Sequence, residues 1–216
     1  MESKVFNVSL AKNPKISGNV ISGHFATNKT QTHVSHYLDV STLKSNALIA
    51  HDVARELAAP YLSSTSVDTI VCMDKTEVIG AYLAEELQSG GINRDHDIYV
   101  LTPTSNVNHD LIFQDNMLGR ITDRNVILLT AWIVSGLTMG RALECFAYYG
   151  GRSVGISTLF LAQPEKWDDD VHTLFTSKDI PNYKLFNPSQ CEMCKAGLKL
   201  DAIVSYDGYT NIRGLS

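Results

Sequence analysis

The chain has 216 residues, of which 44% are hydrophobic and 19% charged, and its formal net charge is −5. That length suits one main domain with a small appended flap, and the acidic balance excludes the basic footprint that a nucleic-acid backbone selects. No run approaches the ~18 consecutive apolar residues of a membrane span, and the first residues lack the apolar stretch of a secretory signal. The expectation is therefore a cytoplasmic protein without membrane or nucleic-acid partners.

In chain order, Leu48, Ile49, Val53 and Leu57 recur about a turn apart between Leu43 and Leu57, with Lys44, His51, Asp52 and Arg55 between them, which predicts one amphipathic helix. The β-branched run Asp68–Met73 predicts a strand, and Ile79, Leu83 and Leu87 a second helix closed by Gly90 and Gly91. Another strand is expected over 97–101, followed by a long polar excursion from Thr102 to about Arg124 that has the character of a lid or binding loop. A strand over 125–129 comes next, then a turn at Gly136. Met139, Leu143 and Phe146 mark a third helix ending at Gly150 and Gly151, and a strand runs from Val154 to Leu161. Strands alternating with helices predict an α/β domain with a largely parallel sheet, whose ligand sits beyond the carboxyl ends of the strands where their order reverses.

Ser135, Gly136, Leu137 and Thr138 fall where the third helix begins, so a phosphate would meet free backbone N–H groups, the positive end of the helix dipole and two hydroxyls. On local sequence alone the same residues also fit an N-cap serine with a turn glycine. Cys72 and Cys145 lie in apolar segments and read as reduced core thiols.

The segment 125–138 resembles the phosphoribosyl pyrophosphate-binding strand and loop of the type I phosphoribosyltransferases, and the chain from Gly23 to Leu200 is most similar to the orotate phosphoribosyltransferases. Gly23, His24 and Phe25, followed by His33, Ser35, Tyr37 and Asp39, are similar to the amino-terminal stretch of that branch. The run Cys191–Leu200 looks like its Cys-x-x-Cys tail. The resemblance implies a largely parallel central sheet flanked by helices, with a small hood. It divides the chain into a hood segment over 1–42, a phosphoribosyltransferase-like α/β core over 43–180, and a tail over 181–216 that packs with the hood. It also implies a homodimer.

In the family an acidic pair contacts the ribose hydroxyls, and Thr130 and Ala131 stand where that pair belongs. The loop Ser135, Gly136, Leu137 and Thr138 matches the part that holds the 5-phosphate. The turn after the first core strand receives pyrophosphate, and here it carries Asp74, Lys75 and Thr76. Lys75 offsets pyrophosphate charge, whereas Asp74 and Glu77 oppose it by ~1 kcal/mol each in a partly solvated site. The excursion takes the place of the cationic hood loop, yet it has no lysine or arginine between Thr102 and Gly119; His109 and Asp110 stand there instead. After Arg152 no arginine recurs before Arg213, so the clamp expected for orotate is missing.

Removing one preorganised stabilising group typically costs ~100- to 1000-fold in turnover. The reading is therefore a diverged orotate phosphoribosyltransferase-like protein that binds a phosphorylated ribose or nucleotide with weak or no transferase activity. The alternative is an active phosphoribosyltransferase acting on a nucleobase such as orotate, with Mg2+ as cofactor and with Asp74, Glu77 or Asp110 replacing the lost pair. No protein-held metal is expected. Cys191 and Cys194 fit half of a zinc site or a redox pair, but no second Cys/His pair lies at a convincing spacing, so a structural tail is favoured. His24, His33 and His36 read as hydrogen-bonding or surface residues, Trp132 as core filling, and the acidic run 168–170 as a solvated surface.

Overall fold

The computed structural model describes residues 4–28, 32–105, 111–167 and 171–212. An antiparallel hairpin of β1 (Val5–Leu10) and β2 (Asn13–Thr27) opens the chain, and β3 (His33–Asp39) pairs with the other edge of β2. The single helix expected over 43–57 is two helices, α1 (Ser41–Ser45) and α2 (Ala47–Ala58). The break is at Asn46, which is extended and whose side-chain oxygen accepts from the N–H groups of Leu48 at 3.1 Å and Ile49 at 3.2 Å. An asparagine amide offers the backbone this local alternative to helix continuation, so it starts the second helix instead of sitting inside the first.

The core sheet begins with β4 (Thr69–Cys72), and α3 (Glu77–Ser89) returns the chain to β5 (Tyr99–Leu101). Within the polar excursion, β6 (Thr104–Ser105) pairs with β7 (Leu111–Ile112), and a 3-10 helix follows over Asp115–Arg120. Phe113 and Ile121 anchor this flap in the core, which is the signal that its polar composition hid. Next come β8 (Asn125–Ile133), α4 (Leu137–Tyr148), β9 (Arg152–Leu161) and β10 (Val171–Thr176). β8 runs four residues past the expected end at Leu129, because β9 continues alongside it and pairs Thr130 with Thr158 and Trp132 with Phe160. Threonine and tryptophan suit such a pleated, half-buried edge. The chain closes with β11 (Leu185–Phe186), the short helix α5 (Glu192–Lys195), β12 (Ala202–Ser205) and β13 (Gly208–Asn211).

The core sheet is parallel throughout, in the order β10-β9-β8-β4-β5. Ile70, Cys72, Ile127, Leu129 and Ala131 face α2, α3 and the inner residues Ile16 and Val20 of β2 and Leu38 of β3. Val71, Val126 and Leu128 face α4 and the flap. Burial on both faces is why these strands read as unbroken apolar runs. The second sheet joins the two ends of the chain in the order β11-β3-β2-β12-β13, with β1 on β2. Cys72 and Cys145 are buried free thiols, and burial pushes Cys72 up to about 12. Among the described residues no helix is long and apolar enough to cross a membrane.

Replacing Asn46 by Ala removes the oxygen that satisfies two N–H groups of α2 and is expected to lower stability by about 1 kcal/mol. Urea unfolding measures this, and Asn46→Ser should recover most of the loss.

Candidate functional site

The order of the core strands reverses between β4 and β8, since α3 leads from β4 to β5 on one side while α4 leads from β8 to β9 on the other. Beyond the carboxyl ends of these two strands lies a cleft of about 610 Å³, counting its part open to solvent. Its walls are the turn after β4, the loop from β8 into α4, Thr27 and Asn28 at the end of β2, and Ser205 and Tyr206 at the end of β12. A ligand site is expected at such a crossing. The contributions of Thr27, Asn28, Ser205 and Tyr206 were missed in the sequence, because only the second sheet brings the two chain ends here.

In the turn after β4, Asp74 and Lys75 both adopt left-handed backbone angles, with φ of 56° and 61°. Each such non-glycine residue costs roughly 1 kcal/mol or more and needs surrounding contacts to hold it. The principal holder is Lys44 of α1, a buried side chain whose ammonium donates to the carbonyl of Asp74 at 2.9 Å and that of Tyr206 at 2.7 Å. Burial lowers the Lys44 pKa, while Asp207 and Asp74 act against that shift. Lys75 reaches out to Asp207 at 2.9 Å and does not line the cleft. Thr76 is fully buried, and its hydroxyl donates back to the carbonyls of Met73 at 2.8 Å and Leu129 at 3.3 Å. Thus, of the three turn residues singled out for pyrophosphate, only Asp74 lines the cleft.

Asp74 meets the end of β8: the Thr130 hydroxyl donates to its carboxylate in a short hydrogen bond. Ala131 points the other way and is fully buried in the core, so of the two positions matching the acidic pair only Thr130 faces the cleft. Next along the strand, Trp132 lines the cleft and meets the buried Tyr37 edge to face, with ring centroids 5.1 Å apart. It packs against both the main core and the small cluster of the second sheet, and so joins the two sheets. Among the described residues, its indole Nε1 is the buried side-chain nitrogen or oxygen without a hydrogen-bond partner.

Ser135, Gly136 and Thr138 line the cleft and Leu137 is half exposed beside them. Gly136 is the N-cap of α4 with φ of 81°, and a Cβ there would lie 2.3 Å from Cζ2 of Trp167. Both the backbone angle and the close indole require glycine. The N-cap glycine has no side chain to cap α4, and the N–H of Leu137 makes only a long 3.4 Å contact to the Ser135 hydroxyl, so an anion would meet the positive end of a 12-residue helix here. His109 and Asp110, and the acidic run 168–170, lie outside the described residues. Arg152 is remote from the cleft, at the amino end of β9, where it binds Asn125 and the carbonyl of Asp123. Among the described residues lining the cleft there is no lysine, arginine or histidine, and Asp74 is the one charged side chain.

A second constellation corrects the reading that Cys191 and Cys194 have no partnering pair. His24 and His33 converge on them, and one ligand atom from each of the four residues lies within 4.8 Å of every other. Sequence spacing concealed this, because the histidines and cysteines are far apart in the chain and meet only through the second sheet.

No family model matches the sequence, and neither does any curated protein sequence. Solved structures do match in three dimensions. UMP synthase of Leishmania donovani superposes with a TM-score of 0.54 at 19% identity, over 75% of this chain and 34% of that one, so the chain spans about a third of that protein's length. Orotate phosphoribosyltransferase of Mycobacterium tuberculosis, solved with inorganic phosphate, gives 0.51 at 11% identity over 74% and 89%. Adenine phosphoribosyltransferase of Trypanosoma brucei, solved with AMP, pyrophosphate and ribose-5-phosphate, gives 0.50 at 12% over 79% of each chain. The chain has the type I phosphoribosyltransferase fold. Within that fold, the cleft described above lies at the carboxyl ends of the parallel strands.

Two substitutions test how this cleft is held. Lys44→Met keeps the stem but leaves the carbonyls of Asp74 and Tyr206 without their ammonium, and should cost ~1–3 kcal/mol in chemical denaturation. Gly136→Ala forces Trp167 aside and should cost a similar ~1–3 kcal/mol, with a shift in tryptophan emission reporting the displaced ring.

Proposed function

We propose that the chain binds a phosphorylated ribose, free or within a nucleotide, and transfers it weakly or not at all. The observation that carries this is the charge pattern of the cleft: a glycine-capped helix N-terminus at Ser135–Thr138, one carboxylate at Asp74, and no cation among the described lining residues. A monophosphate suits the first of these and a ribose hydroxyl the second. Departing pyrophosphate has no lysine or arginine to meet it there, and Asp74 repels it. The phosphate, AMP and ribose-5-phosphate held by the fold neighbours support a ligand of this class.

Magnesium, implied by the resemblance, fits this lining poorly. It favours several oxygen ligands in near-octahedral geometry, and the described lining supplies a single carboxylate that already accepts from Thr130. We therefore draw no step through it. One observation favours the second reading, an active transferase: the Thr130 hydrogen bond holds the Asp74 carboxylate beside the end of β8, where an acidic group would serve the ribose. We further propose that two copies pair, as the resemblance implies. Sedimentation velocity of the purified protein should then report a dimer mass, and a monomer would refute pairing.

Isothermal titration with ribose 5-phosphate, orotidine monophosphate, AMP and phosphoribosyl pyrophosphate, with and without magnesium, separates the readings. The expected result is binding of at least one monophosphate, lost in Gly136→Ala and weakened several-fold in Asp74→Asn, with no gain from magnesium. Magnesium-dependent micromolar binding of phosphoribosyl pyrophosphate together with nucleotide formation would promote the active reading. Silence toward every ligand would overturn both.

A further inference from the structure

We propose that His24, His33, Cys191 and Cys194 form a structural zinc site that fastens the tail to the hood. The donor atoms are His24 Nε2, His33 Nδ1 and the two sulfurs. His24 Nε2 lies 3.1 Å from His33 Nδ1, 3.4 Å from Cys191 Sγ and 3.7 Å from Cys194 Sγ, and Cys194 Sγ lies 3.3 Å from His33 Nδ1. Tetrahedral zinc with Zn–N of ~2.0–2.1 Å and Zn–S of ~2.3 Å sets its ligand atoms about 3.3–3.8 Å apart. Three of the four separations fall within that range and the fourth, 3.1 Å, lies just below it, with no ion present to impose them.

The backbone is built to aim these side chains. Between Ser22 and Phe25 the pairing of β2 with β3 slips by one residue, a bulge at Gly23 and His24 that redirects the imidazole. Gly23 permits this, since a Cβ there would lie 2.6 Å from Phe25 and 2.9 Å from the Asp201 carboxylate. The same carboxylate accepts from the N–H of His24 at 2.7 Å, and the carbonyl of His24 accepts from the N–H of Asp201 at 2.7 Å. In the tail, Cys191 and Cys194 occupy one helical turn, and Gly197 in the left-handed region reverses the chain so that Leu198 faces His24.

The outer shell fixes the protonation that a metal requires. His24 Nδ1 lies 3.0 Å from the carbonyl oxygen of Leu198, which can only accept, so Nδ1 carries the proton and Nε2 keeps its lone pair. That single lone pair faces His33 Nδ1 and both sulfurs. Hydrogen bonding satisfies one such approach, not three. A central cation with two thiolates and two neutral imidazoles satisfies all of them and leaves the site uncharged. This donor set suits zinc, and four protein ligands leave no open position, as in structural rather than catalytic sites. His24, His33 and Cys191 are buried, whereas Cys194 is exposed and gives the ion a path in.

The site sits behind one wall of the cleft. Phe25 to Thr27 of β2, immediately after His24, pair with Ala202 to Val204 of β12, and the N–H of Asn28 donates to the carbonyl of Val204 at 3.1 Å. Thr27, Asn28, Ser205 and Tyr206 then enter the cleft directly. Zinc thus holds the two chain ends that carry these residues.

The test uses the full chain, purified without chelator, and metal analysis by mass spectrometry. About one zinc per chain is expected, falling several-fold in Cys194→Ser and retained in His36→Gln, whose histidine lies outside the set. Because a ligand variant can also misfold, the unaltered protein is stripped and refilled with cobalt. The d–d bands of tetrahedral Co2+ with thiolate charge transfer are expected, with a lower melting temperature for the stripped form. A folded chain that stays metal-free after incubation with zinc, or whose Cys191 and Cys194 react with thiol reagents at the same rate with and without it, would falsify the proposal. These readouts contain no nucleotide, so they stand apart from the ligand titrations.

Discussion

The cleft depends on one buried ammonium. Lys44 lies on the first helix, yet its two acceptors belong to the turn after the first core strand and to the tail hairpin, so three distant parts of the chain meet at one nitrogen. The contact does two things. It supports a turn in which two successive non-glycine residues take left-handed angles, and it sets Tyr206 opposite that turn. Buried ammonium groups are tolerated only when hydrogen-bonded, and carbonyl partners do this without cancelling the charge. Asp74, Asp207 and Glu77 supply the compensating field around it.

The same economy explains the unusual electrostatics. Two lysines beside the turn after β4 are already engaged: Lys44 holds the turn and Lys75 pairs with Asp207 at the surface. The amino end of α4 provides the remaining attraction for an anion, an effect of ~0.3–1 kcal/mol in exposed settings and up to ~2 kcal/mol when partly buried. Repulsion between Asp74 and a closely held pyrophosphate, ~1 kcal/mol in a partly solvated site, is of the same order and offsets it, whereas a monophosphate placed at α4, away from Asp74, feels mainly the attraction.

The two ends of the chain are coupled by the second sheet, one face of which adds Ile16, Val20 and Leu38 to the main core. The cluster where β2 and β3 meet β12 is separate and small, with Phe25, Val34, Tyr37, Ala202 and Val204 at its centre. That end gains from a cross-link, and the His24, His33, Cys191 and Cys194 constellation lies where such a link acts on both β2–β3 and the carboxyl-terminal segment. The burial of Tyr37, which pushes its phenol above the ordinary range, continues the connection inward to Trp132.

Periodicity determined the core. The helices around Val53, Leu83 and Phe146 and the apolar strands at Ile70 and Ile127 announced a parallel α/β sheet, because side chains buried on a fixed face must repeat with the period of their element. The loop at Ser135–Thr138 was legible for a related reason: an anion site at a helix start needs only contiguous residues. Other features required distance in sequence to become proximity in space. Nothing local marks Lys44 as the clamp on Asp74 and Tyr206, or turns Thr76 inward while Asp74 faces the cleft. Nor does any local pattern join His24 and His33 to Cys191 and Cys194. Asn46 and the length of β8 fall between these cases, since capping chemistry was present in the sequence but the partner strand that prolonged β8 was not. Local hydrogen bonds and burial periods are written along the chain, whereas convergent polar groups are created when two sheets bring its ends together.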